Sequence, residues 1–245
     1  MPIDLNADVG EEQGDDAALL PLVTSCNIAC GGHAGGPETM KRTVELALRH
    51  GVAIGAHPGY ADRANFGRVV VPLSAAAIGE LVGGQLDAIA AVAAAAGATL
   101  RHVKPHGALY NLAARDEGVA AAIAGAVAAF DRRLILFGLA QSALTASGER
   151  AGLRVAHEAF VDRAYEADGS LRARTLPGAV FDDEARALDQ AVALAAGLPI
   201  AAFDGSRLAI RADTLCIHGD TPHAPGFARL LRAALADAGI DLKAT

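Results

Sequence analysis

The sequence predicts an α/β fold, a parallel β/α barrel of seven strands that runs over residues 1–245 as one domain. Three observations lead to it. Short apolar runs alternate with glycine or polar turns and alanine-rich amphipathic stretches along the whole length. Strand-then-helix alternation means parallel strands joined by helical crossovers. Six of the seven strand ends carry Asp, Asn, His, Lys or Glu, and parallel α/β folds bind ligands at the carboxyl ends of their strands. An open sheet gathers its site at one crevice, whereas a closed barrel brings every strand end to one mouth. Finally, no linker rich in Pro, Gly or Ser divides the chain.

The elements follow in order. "IDLNADVG" reads as the first strand, ending in Asp4, Asn6 and Asp8. Residues two apart in a strand share a face, so these three polar groups point one way and Ile3, Leu5 and Ala7 the other. Burying three polar groups on one face is costly unless they are paired, which a polar lumen would achieve; an exposed edge is the alternative. "TSCNIACGG" is the second strand, with Asn27 and then His33, ahead of a helix near 38–50. "GVAIGAHPG" is the third, ending in His57, and a long helix follows near 74–96. "ATLRHVKPHG" is the fourth, beginning at Ala98, with helices filling 107–130. "RRLILFGLA" is the fifth and ends without a reactive group at Gly138. "GLRVAHEAF" is the sixth, giving His157 and Glu158. "ADTLCIHGD" is the seventh, giving His218 and Asp220, and each of these last three precedes a helix.

Bulk properties narrow the function. With 52% hydrophobic residues the chain can bury a substantial core. A formal net charge of -7 argues against nucleic acid or an anionic membrane surface as the main partner. Three cysteines, Cys26, Cys30 and Cys216, are too few and wrongly spaced for a disulfide scaffold or a C-x-x-C site, which points to a reducing compartment. "MPIDLNADVG" has neither the basic nor the apolar region of a signal peptide. Apolar runs such as "AIAAVAAAAGA" fall short of the roughly 20 residues of a membrane span. A cytoplasmic location is the expectation.

The chemistry-bearing stretches each allow more than one role. In "HVKPHGALYN", Pro105 fixes its own φ and pushes Lys104 toward extended geometry. Lys104 and His106 are thereby held at a strand mouth, where an ammonium suits a carboxylate, a phosphate or a developing oxyanion. Structural pairing of Lys104 with Asp8 or Glu158 is the alternative. Tyr110 and Asn111, one turn on, could add hydrogen bonds or simply pack. In "NIACGGHAGGPETMKR", Gly31 and Gly32 permit close backbone approach, and a helix follows at Pro37, an arrangement suited to anions. A tight turn explains the same glycines. His57, before Pro58 and Gly59, could be a general base, a metal ligand or a buried hydrogen-bonded group. Arg163 and Arg174 could grip a carboxylate or sit in a surface ion-pair cluster. His218 with Asp220 could be an oriented acid–base pair, or Asp220 could cap the last helix.

There is no Ser–His–Asp elbow, H-E-x-x-H or dinucleotide fingerprint, so the set suggests hydrolytic proton chemistry. The candidate catalytic residues are Asp8, His57, Lys104 and Glu158. The candidate substrate contacts are Asn6, Asn27, His33, His106, Tyr110, Arg163, His218 and Asp220, with Gly31 and Gly32 as an anion-binding loop. A divalent metal stays open; a metal-dependent amidase or deacetylase acting alone would use Asp8, His57 and another histidine as ligands.

The blocks "DLNADVGE", "NIACGGHAG", "GAHPGY" with "FGR", "VKPHGALYN", "FVDRAY" with "DGSL" and "PGAV", and "CIHGD" occur in order across nearly the whole chain. In these the sequence resembles the LamB/YcsF family, the A components of ATP-dependent 5-oxoprolinase. It departs from the family's usual pattern at Gly36, Val69 and Ala173. The resemblance implies a distorted TIM-type barrel akin to the polysaccharide deacetylases. It also implies conversion of 5-oxo-L-proline, ATP and water to L-glutamate, in company with subunits B and C.

Overall fold

The computed structural model describes residues 2–217 and 223–245. Seven parallel strands close into a barrel. They are β1 (Asp4–Val9), β2 (Ser25–Ala29), β3 (Ala53–His57), β4 (His102–Val103), β5 (Ile135–Leu139), β6 (Arg154–Phe160) and β9 (Thr214–Ile217). Around the ring β1 pairs with β2, each strand through β6 pairs with the next, and β9 closes the gap between β6 and β1. A short antiparallel hairpin, β7 (Ile200–Ala201) with β8 (Arg207–Leu208), lies outside the ring.

The helices start and stop where local chemistry directs. The long ones are α2 (Pro37–His50), α3 (Ala75–Ala95), α5 (Glu117–Phe130), α7 (Glu184–Ala195) and α8 (Ala224–Asp237); α1 (Asp16–Leu19), α4 (Gly107–Ala113) and α6 (Ala143–Arg150) are short. Pro37 opens α2 and Gly51, at φ 66°, ends it. Ser74, Asp116, Ser142 and Asp183 each accept a backbone N–H as N-caps of α3, α5, α6 and α7. Helix α3 is 21 residues long and, by length and composition, apolar enough to span a membrane, contrary to the reading of its alanine run as too short. Its buried residues Ile78, Val82, Leu86, Ile89 and Ala93 form one stripe in the main core cluster, so its apolar face covers the barrel.

Two boundaries differ from the sequence expectation, each for a backbone reason. The fourth strand begins not at Ala98 but at His102, because the Ala98 N–H turns back to the Ala93 carbonyl and finishes α3. Ladder bonds then run from Arg101 N–H to Ile54 O, from Lys104 N–H to Ala56 O and, past Pro105, from His106 N–H to Pro58 O. The sixth strand does not lead straight into a helix. Residues 161–183 form an irregular excursion held by bridges Arg163–Val180 and Tyr165–Leu171 before α7 begins.

The lumen is polar at its lower end. Asp4 accepts hydroxyl hydrogen bonds from Thr24 (2.6 Å), Ser25 (2.8 Å) and Thr214 (2.6 Å), and Asn6 donates to Glu158 Oε1 (3.0 Å) and Thr214 Oγ1 (2.7 Å). The alternation of β1 therefore puts Asp4 and Asn6 inside the ring, fully buried and paired, as the closed-barrel reading required.

Candidate active site

Lys104 lies at the centre of the first half of the site. Its Nζ lies within hydrogen-bond reach of Asp8 Oδ1 (2.9 Å), Glu158 Oε1 (2.8 Å), Cys216 Sγ (3.0 Å) and Asn6 Oδ1 (3.3 Å), four acceptors sharing three N–H groups. The rigid corner that aims it is locked on both sides. His106 N–H bonds to Pro58 O, Ala108 N–H bonds to Gly67 O, and Gly107 turns at φ 53°. Burial by itself would drive the Lys104 ammonium toward neutrality, but Asp8 and Glu158 reverse this and hold its pKa well above the usual value. The same balance sets Asp8. Burial pushes its carboxyl up, yet His57 and Lys104 outweigh that and hold it well below the usual range. Asp8 is the most accessible of the four, its side chain 13% exposed while Lys104, Glu158 and His57 are sealed. The pairing of Lys104 is therefore with both Asp8 and Glu158, and it is structural as well as chemical.

Three histidines and a glutamate form the second half. His57 Nδ1–H donates to the Lys104 carbonyl (2.7 Å), and its Nε2 lies 3.4 Å from Asp8 Oδ2. His106 Nε2–H donates to the Phe66 carbonyl (2.9 Å), which leaves Nδ1 facing His57 Nε2 at 3.0 Å. Glu11 Oε1 stands 3.2 Å from His33 Nε2, 3.2 Å from His106 Nδ1 and 3.7 Å from His57 Nε2. These four donor atoms lie within 4.8 Å of one another, and all four residues are buried. Burial pushes the Glu11 carboxyl up, but hydrogen bonds from His106 and His33 bring it down to about 2. Burial lowers His33 to about 4, whereas His57 is raised because Asp8 outweighs the burial that would lower it.

The loop after β3 packs tightly over these rings. His33 and His106 stack in parallel, centroids 3.6 Å apart, and Phe66 meets both edge-on. Phe66 adopts φ 54°, a strained setting for a non-glycine residue that points its carbonyl at His106. A Cβ on Gly59 would come 2.7 Å from His33 Nδ1, and one on Gly67 would come 2.8 Å from His33 Cβ. Glycine is needed at both positions for the loop to approach so closely.

Glu11 is the functional residue that sequence reasoning missed. Period-two alternation from Asp8 points Gly10 inward and Glu11 outward. Gly10 turns at φ 70°, breaks the alternation and swings Glu11 over the lumen. A glycine before an acidic residue at a strand end was the available signal. Asp8 pairs with Lys104 and lies 3.4 Å from His57, while Glu11 stands among His33, His57 and His106.

The remaining candidates divide. Asn27 donates to Asn6 Oδ1 (2.7 Å) and Asp8 Oδ1 (2.8 Å) and accepts from His102 Nε2 (2.8 Å), so it braces the floor of the site with both of its N–H donors engaged. Tyr110 lies at the site, and its hydroxyl and Glu158 Oε2 are buried without a hydrogen-bond partner among the described residues. Burial first, and Glu158 second, push the Tyr110 phenol well above its usual pKa. Arg163 spends two of its donors inside its own loop. It is buried and donates to the carbonyls of Ala179 (3.2 Å) and Arg172 (2.6 Å), tying the 161–183 excursion together. Gly31 uses its N–H on the Ala34 carbonyl, so that amide is not free for an anion. Gly31 and Gly32 instead line a cavity of about 720 Å³ bounded by residues of α2, α3 and Arg63. His218 and Asp220 lie outside the described residues. The three thiols are free and buried.

Sequence comparison places this arrangement among known proteins. The pattern of the LamB/YcsF family matches residues 3–245. The chain belongs to the LamB/YcsF family. This LamB/YcsF protein is 52% identical over 248 residues to the A component of 5-oxoprolinase from Chloroflexus aggregans, covering 99% of this chain and 98% of that one. It is 48% identical over 247 residues to the protein of the same name from Tolumonas auensis, again covering 99% and 98%. Among solved structures, the lactam utilization protein of Thermus thermophilus superposes with a TM-score of 0.94 at 45% identity, covering both chains fully. The closed seven-stranded barrel is thus the family's fold.

Proposed function

We propose that this chain is the lactam-opening component of a cytoplasmic ATP-dependent 5-oxoprolinase, which converts 5-oxo-L-proline and water to L-glutamate together with subunits B and C. One observation carries the reading. An Asp8–Lys104–Glu158 triad, open to solvent at Asp8 and with the Tyr110 hydroxyl beside Glu158, sits at the strand ends of a chain about half identical to proteins named for this reaction. A cyclic amide could engage the same pair: its N–H would donate to Glu158, and its carboxylate would accept from Tyr110. Asp8, kept ionised by Lys104 and His57, would orient the attacking water. The water oxygen bonds to the ring carbonyl carbon, the C–N bond breaks, and the released nitrogen takes the proton.

A five-membered lactam is unstrained, so the opening needs coupling, and ATP would supply it in the assembled enzyme. The described residues make a poor cradle for a triphosphate. The Gly31 amide is taken by Ala34, and Arg63 is engaged with Gly35 O (2.6 Å) and Glu12 (3.5 Å). The nucleotide would therefore be held by other components of the assembled enzyme. The buried thiols suit a reducing cytoplasm.

Asp8→Asn tests the reading, because asparagine keeps the shape while Lys104 retains Glu158. ATP-dependent glutamate release by chain plus subunits B and C should fall by about 10² or more with the fold intact by circular dichroism. Near-normal turnover would overturn the role of Asp8. A second reading, a metal-dependent amidase acting alone, is favoured by the facing donors of Glu11, His33, His57 and His106. It requires amide hydrolysis without ATP or partners, and the same assay with both omitted separates the two.

A further inference from the structure

We infer that Glu11, His33, His57 and His106 bind one divalent transition-metal ion, with zinc the best fit. The inference deepens the reading of this mouth as the reactive centre and holds for either reaction above. It begins with hydrogen-bond direction. The Lys104 carbonyl can only accept, so His57 carries its proton on Nδ1 and turns the Nε2 lone pair inward. The Phe66 carbonyl likewise fixes the His106 proton on Nε2 and turns Nδ1 inward. Two lone pairs then face each other at 3.0 Å, with the Glu11 carboxylate oxygen 3.2 Å from one and 3.7 Å from the other. Such an arrangement is repulsive unless a proton on one of these nitrogens or a metal cation lies among the atoms.

Geometry and chemistry specify that charge. A tetrahedral ion with ligand bonds of about 2.0–2.1 Å has donor–donor edges of about 3.3–3.4 Å. Four of the six donor separations, from 3.0 to 3.7 Å, bracket that value and the other two lie within 4.8 Å; the stacked His33 and His106 rings would tilt apart to aim both nitrogens at one ion. Three imidazoles and one carboxylate suit zinc or a neighbouring first-row ion rather than magnesium or calcium, which prefer all-oxygen shells. Ligating histidines characteristically give their second nitrogen to a carbonyl or carboxylate, as His57 and His106 do here. The close approach of Gly59 and Gly67 and the αL turn at Phe66 keep the three rings together at the mouth. Asp8 Oδ2, 3.4 Å from His57 Nε2, marks the side of the cluster that reaches solvent. An ion there would polarise an amide carbonyl oxygen brought to the mouth.

The test uses the isolated full chain, with no oxoproline, ATP or other component of the complex, so its failure leaves the proposed reaction standing. Chain stripped with chelator, loaded with zinc chloride and dialysed against metal-free buffer should retain about one zinc by elemental analysis. Cobalt loading should give the visible bands of a low-symmetry four- or five-coordinate ion. His106→Ala and the isosteric Glu11→Gln should each weaken zinc binding by about tenfold or more, with Glu11→Gln securing the comparison if the alanine variant unfolds. Wild-type chain that retains less than about a tenth of an equivalent would overturn the site in favour of a proton shared between His57 and His106. Equal retention by wild type and Glu11→Gln would overturn it as adventitious surface binding.

Discussion

Buried charge at single residues is tolerable here because each is answered within hydrogen-bond distance. Lys104 is offset by two carboxylates and Asp4 by three hydroxyls. His102 is the opposite case, a ring kept neutral. It is buried, stacked on Phe137 at 4.2 Å and donating to Asn27, and burial together with Lys104 and His57 lowers its pKa to about 3. An unfolded histidine titrates near pH 6.5. Between pH 6.5 and 3 the unfolded chain thus binds a proton that the folded chain refuses, and stability is lost as pH falls through that window. One such proton is worth about 1.4 kcal/mol per pH unit. His102→Gln, which keeps a donor for Asn27 but does not titrate, should flatten the fall in denaturant-measured stability between pH 6 and 4 by about that slope. An unchanged slope would mean that the folded ring takes up its proton as readily as the unfolded one. His57 and Lys104 were legible in the sequence because a proline or glycine beside each advertises a fixed strand end. Glu11 was hidden because one positive φ at Gly10 reversed its face.

Elements explain why such residues meet. In register across the ring, Asp8 pairs with Asn27, Asn27 with Gly55, and Gly55 with His102. The missing side chain at Gly55 is the space that the His102 ring fills, since a Cβ there would overlap it. Gly55→Ala should therefore lower stability by about 1–3 kcal/mol or more. The cost should shrink in the His102→Ala background, and denaturant titration of the four proteins in that cycle measures it. Strand existence and order were legible from alternation. The length of β4 was not, because it depends on which backbone N–H groups α3 captures at its end. The β7–β8 hairpin was also missed, although Asp204–Gly205, with Gly205 at φ 86°, is a recognisable turn signal. Arg163 read as a ligand clamp because its charge is visible in sequence, whereas the carbonyls that absorb it come from an irregular segment with no periodic pattern.

At the scale of the whole molecule, closure turns scattered residues into one site. Strand β9 is the last to arrive and touches both β1 and β6. Thr214 keys it in place, donating to Asp4 Oδ2 and accepting from Asn6 Nδ2. Thr214→Val keeps the shape and removes both bonds. It should reduce stability by about 2 kcal/mol, a fall in Tm of about 4–8 °C by calorimetry. A fall under one degree would show that closure does not depend on this hydroxyl.

The sequence by itself determined the strand order, the parallel barrel and the gathering of Asp8, His57, Lys104 and Glu158 at one mouth. Periodicity is a local property, and chain connectivity carries it into topology. Only the tertiary structure decided which charge meets which. It assigned Lys104 to two carboxylates, withdrew Arg163 into a loop and drew Glu11 to three histidines. Those outcomes depend on distances between residues remote in the chain and on which buried polar atoms are left without a partner, and no local pattern encodes either.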